Sequence, residues 1–102
     1  MQKHVYVVNK GPHDYSEAEA FGKLVFCTDG SMDRYDIAQM YREVAEAMRD
    51  SQEDDFILLT SLTTLCVVTC SVFVAKHSQL HLLLHTKEGY IPRTLHLKGA
   101  LR

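Results

Sequence analysis

The chain is 102 residues long, 46% apolar and 24% charged, which suits one folded domain and excludes a disordered chain. Its formal charge of −2 gives no broad attraction to phosphate backbones, so no DNA or RNA partner is expected. Cys27, Cys66 and Cys70 form no CxxC or Cys/His ligand pattern and fit a reducing compartment, and MQKHVYVVNKG is too weakly apolar for a signal peptide, so a cytoplasmic protein is expected.

The first predicted strand is His4 to Val8, stopped by the turn formers Asn9-Lys10-Gly11-Pro12. Ser16 is placed to cap a short helical turn over Glu17 to Phe21, with Glu19 at the capping-box position and Gly22 as its stop. Leu24 to Cys27 reads as a second strand, ended by Thr28-Asp29-Gly30. A helix follows, its apolar Ile37, Met40, Tyr41, Val44 and Met48 recurring at steps of three and four, with Ser31 or Asp33 as cap.

Phe56 to Leu59 is apolar at every position, as in a central parallel strand. Phe56 to Ala75 is twenty residues without a charge, the length a membrane span needs. Six of the twenty are Ser or Thr, however, and the run opens like a strand, so a buried strand followed by a buried helix over Leu65 to Lys76 is preferred and no membrane partner is expected. The β-branched Val67, Val68, Thr69, Val72 and Val74 pull against that helix. Leu80 to Leu84 and Tyr90 to Leu97 complete the pattern as strands joined by the hairpin turn Thr86-Lys87-Glu88-Gly89. The expected fold is a single small α/β domain: a mostly parallel sheet of about five strands, two main helices and a C-terminal β-hairpin. So small a domain leaves much surface uncovered, and pairing into a homodimer is one way to bury more.

In open parallel sheets, ligands lie beyond the carboxyl ends of the strands. This selects Asn9, Lys10 and His13 after the first strand, Thr28 and Arg34 after the second, and Thr60, Ser61, Thr63 and Thr64 after the third. Hydroxyls and free N–H groups at a helix start favour an anion, and Lys10 and Arg34 add positive charge, so a small phosphorylated ligand is expected there. Simple helix capping by the same hydroxyls is the alternative. With neither a Walker A lysine nor GxGxxG, no nucleotide cofactor is expected. His81, His85 and His96 invite a metal, but alternation with Leu80, Leu82 and Leu84 makes a wetter sheet face the simpler reading. Cys66 and Cys70 read as small core residues. For catalysis the candidates are Ser61, His13 as base and Asp14 or Asp29 as orienter, without a nucleophile-elbow pattern.

The runs VVNKGPHDYSEAEAFGKLVF, FILLTSLTTLCVV and YIPRTL resemble small proteins that recur in bacteriophage genomes. The resemblance carries over no activity and no site residues. It implies a phage-encoded, non-enzymatic protein of the kind that opposes host defences, including by sequestering nucleotide signals, such as cyclic or modified nucleotides. The competing readings are an inhibitor of a host protein, anchored by Tyr15, Phe21, Tyr35 and Tyr90, and a small phosphodiesterase using His13.

Overall fold

A computed structural model describes residues 2–97. Its elements follow the expected succession: β1 (His4–Val7), a short 3-10 helix (Ser16–Phe21), β2 (Lys23–Phe26), α1 (Ile37–Ala47), β3 (Phe56–Leu58), α2 (Thr63–His77), β4 (Gln79–Thr86) and β5 (Gly89–His96). The strands form one sheet in the order β2-β1-β3-β4-β5. All neighbours are parallel except the final hairpin, β4 against β5. This is a single α/β domain with a five-stranded, mostly parallel sheet.

Alternation along β1 shows how the sheet is covered on both faces. Tyr6 and Val8 enter a core with Met40, Val44 and Met48 after β2 and with Leu65 and Phe73 of α2. Val5 and Val7 face the other way, toward Tyr15 and Ala18 of the 3-10 segment and toward Leu58 and Leu83. Both helices therefore lie on one face and the 3-10 helix on the other.

The charge-free stretch divides into β3, a short junction and α2, and no helix among the described residues is long and apolar enough to cross a membrane. Helix wins over the β-branched composition because α2 buries one stripe, Leu65, Thr69 and Phe73. The polar member of the stripe, Thr69, satisfies its hydroxyl by donating to the Leu65 carbonyl at 2.8 Å. At its far end Lys76 donates to the Met48 and Arg49 carbonyls at 2.8 and 3.1 Å, tying α2 to the turn that closes α1.

Three local expectations need correction. α1 is capped by Asp36, whose side chain accepts from Gln39 N–H at 3.0 Å; Asp33 instead takes the Tyr35 N–H, closing a turn one step earlier, and Ser31 stands in the loop before it. Ser16 is the first residue of the 3-10 helix rather than its cap. The Asp14 carboxylate receives the Ser16 N–H at 2.9 Å, so Glu19 completes no capping box. Finally, Ile37 and Tyr41 are exposed even though they share the spacing of Met40 and Val44. The two-helix layer is too narrow to cover the outer flank of α1.

At the opposite end of the strands, Asp55 is fully buried. Its carboxylate accepts from the backbone N–H groups of His4 and Gln52, both at 2.8 Å, pinning the starts of β1 and β3 together. The tight bend at Gly22 (φ +156°) brings its α-carbon so near Lys3 that an added β-carbon would sit 2.7 Å from the Lys3 carbonyl oxygen.

Candidate functional site

The chain leaves β1 toward β2 and leaves β3 toward β4, in opposite directions along the sheet. Loops diverge at such a point and open a crevice above the carboxyl ends of the two strands. A cavity of about 670 Å³ lies there, within the range usual for small-molecule sites. A smaller hollow of about 330 Å³ adjoins it, sharing Met32, Arg34, Ser61 and Leu62.

The residues singled out from sequence distribute unevenly over this crevice. Asn9, His13, Arg34, Thr60 and Ser61 line the larger cavity, and Arg34 and Ser61 line the hollow together with Thr63 and Thr64. Lys10 and Thr28 line neither. The Lys10 ammonium lies 5.4 Å from the centre of the Phe26 ring, while its backbone bonds to Thr28 and Gly30, bridging the exits of β1 and β2. Thr28 is buried, its hydroxyl set against the Val8 carbonyl at 3.1 Å and the Asn9 side-chain oxygen at 2.6 Å. Asn9 faces the cavity with its amide already engaged, since its nitrogen donates to the Gly30 carbonyl at 3.1 Å. These three residues hold the loops in place.

The junction after β3 is differently made. α2 begins at Thr63 with Leu62 at the cap position, so no side chain satisfies its first N–H groups. The capping alternative for the Ser and Thr hydroxyls of this junction is therefore not what the geometry contains. Thr60 Oγ1 is buried and has no hydrogen-bond partner, although the Thr60 carbonyl accepts the Cys66 thiol at 3.3 Å. Among the described residues, Asp14 is the single carboxylate in the lining. It is engaged by Ser16, whose backbone N–H above all holds the Asp14 carboxyl below the usual range.

Aromatic residues supply much of the remaining wall, and the sequence reading missed most of them as parts of this crevice. Tyr15, Tyr90 and His85 join His13 there. Tyr15 is buried, its hydroxyl donating to the Asn9 carbonyl at 3.4 Å and accepting from Gly11 N–H at 3.3 Å. Burial, chiefly, raises the Tyr90 phenol above its ordinary value, with Tyr15, Glu17 and Asp14 adding to the effect. The signal that finds His85 is the direction of β4, which is parallel to β3 and so delivers its last residues to the same sheet edge.

Of the catalytic candidates, Ser61, His13 and Asp14 all line the larger cavity. Among the described residues no hydrogen bond joins Ser61 to His13, and Asp29 does not line the cavity. Burial pushes the Cys27 thiol up to about 12 and, helped by Cys66, the Cys70 thiol to about 11, so neither is an activated nucleophile. The three β-hairpin histidines are partnered separately: His81 Nδ1 with Thr94 Oγ1 at 2.8 Å, His85 with the Tyr90 ring, and His96 opposite Gln79. No metal-holding group of His, Cys, Asp or Glu occurs among the described residues.

Compared with known proteins, residues 3–96 match the family model described as Phage Pam3 gp32-like protein. Neither a curated protein nor a solved structure matches.

Proposed function

The chain belongs to the phage Pam3 gp32-like family, and we propose that this phage protein binds and sequesters a small phosphorylated ligand at the crevice between β1 and β3, without chemical turnover. A cyclic or modified nucleotide signal of a host defence is one ligand of that kind. The observation that carries the reading is the N-terminus of α2, whose first N–H groups no side chain caps and whose first residues, Thr63 and Thr64, line the smaller hollow. Arg34 lines the same hollow and the larger cavity that it adjoins. Free N–H groups at a helix start with an arginine nearby complement a phosphate.

The test is calorimetric titration with inorganic phosphate, ribose 5-phosphate and cyclic nucleotides, alongside thermal unfolding. A compound at 100 times its dissociation constant adds about 2.7 kcal/mol to stability. Saturable binding by at least one compound is expected, lost in Arg34→Ala. Absence of binding by every phosphate compound at millimolar concentration overturns the reading.

An inhibitor of a host protein is the second reading, favoured by the exposure of Tyr35 (85%), Ile37 (56%) and Tyr41 (57%) at the start of α1. Host-protein capture that Tyr35→Ala and Tyr41→Ala abolish, and Arg34→Ala leaves intact, would favour it.

A further inference from the structure

We infer that the ligand carries a planar nucleobase-like ring, held at the aromatic end of the cavity by Tyr90, His85 and His13. This rests on the phosphate-binding reading and specifies the other half of the molecule bound. The size of the space is the first reason. A water occupies about 30 Å³ in the liquid, so a cavity of about 670 Å³ is many times larger than a phosphate group needs.

The second reason is where the rings come from and how they meet. His13 and Tyr15 arrive from the loop after β1, His85 from the end of β4 and Tyr90 from the start of β5. Three separate pieces of chain thus bring aromatic side chains to one wall. Tyr15 is buried and packs 5.9 Å from Phe26, which makes it the floor. His13 meets Tyr15 at 6.2 Å and 71°, and His85 meets Tyr90 at 5.1 Å and 61°. Edge-to-face pairs leave ring faces uncovered by their partners, and His13 and His85 are exposed within the cavity. An incoming planar ring can stack on such faces, while the imidazole nitrogens offer hydrogen bonds to its edge.

The arrangement also separates the two ends. Tyr15 and Tyr90 belong with the core on the 3-10 side of the sheet. Met32 and Leu62, neighbours of Arg34 and α2, pack with the core on the helix side. A ligand with a ring at one end and a phosphate at the other spans the sheet edge between them, as a nucleotide does.

The experiment compares ribose 5-phosphate with the 5′-monophosphates of adenosine, guanosine, cytidine and uridine on the wild-type protein, Tyr90→Ala and His85→Ala. At least one nucleotide is expected to bind tighter than ribose 5-phosphate by about 5–150-fold, the contribution of one stacked base. Tyr90→Ala is expected to erase that margin while ribose 5-phosphate affinity stays unchanged. His85→Ala, at an exposed position, provides the same readout if Tyr90→Ala does not fold. Equal affinity for ribose 5-phosphate and all four nucleotides overturns the ring site and leaves phosphate binding standing. A margin that survives both substitutions overturns its placement, and no binding of any probe overturns the phosphate reading itself.

Discussion

Thr60 shows how a single buried hydroxyl can cost a fold stability. Its buried hydroxyl has no partner, and leaving such a group unsatisfied costs about 1–3 kcal/mol. Thr60→Val keeps the shape and removes the hydroxyl, so the variant should be more stable than wild type by about that amount in urea unfolding. Unchanged or reduced stability would mean that the hydroxyl is satisfied in solution. The neighbouring polar residues show how far residue type alone can be read. Asn9, Lys10 and Thr28 have the chemistry of ligand-binding groups, but their hydrogen bonds or ring contacts engage them in joining the exits of β1 and β2. Sequence reports which donors exist. Which of them remain free depends on backbone carbonyls twenty residues away, whose positions no local pattern encodes.

Among the elements, α2 was legible by length and β3 by its unbroken apolar run, whereas the start of α1 was not. Three aspartates and serines compete for its cap within six residues, and the outcome turned on Asp33 forming its own turn first. The connection from the 3-10 helix to β2 was legible through Gly22, though the reason lies in tertiary structure. That glycine combines a left-handed φ of +156° with the close approach of the Lys3 backbone. Gly22→Ala therefore meets both strain and an immovable neighbour, and should destabilise the domain by more than about 1 kcal/mol. Denaturant midpoints compared at equal m-value would check it; an effect below about 0.5 kcal/mol would show that β2 can shift away from β1 without loss. His85 and Tyr90 are hard to place from sequence because β4 leads into a hairpin and not into a helix, so the usual pattern of strand ends feeding helix starts does not point to them.

For the molecule as a whole, pH acts on stability through His77, where α2 ends against the turn after α1. Its Nε2 lies 2.9 Å from Ser51 Oγ, and its ring packs 4.6 Å from Phe73. Burial, then the Lys76 charge, lowers its pKa below 6.5, outweighing the opposing pull of Asp55, Glu53 and Ser51. Above that value the imidazole is neutral in both folded and unfolded chains and has no effect on their balance. As pH falls through 6.5, the unfolded chain takes up the proton first and the balance moves toward unfolding, until the folded-state value is also passed. Stability should decline on acidification across this window, and less steeply in His77→Gln; parallel declines in the two proteins would remove His77 as the cause. A last consequence belongs to β5, the long outer strand of the hairpin, which ends the sheet beyond β4. An open strand edge is a template on which further copies can add without limit, and crowded solutions punish it. Pro92 has no N–H to offer and Arg93 carries a charge beside it, so this template is broken near its middle. Pro92→Val would restore an uninterrupted ladder, and concentration-dependent light scattering with thioflavin fluorescence should rise in that variant; clear solutions at millimolar protein would show that growth is checked elsewhere on the strand.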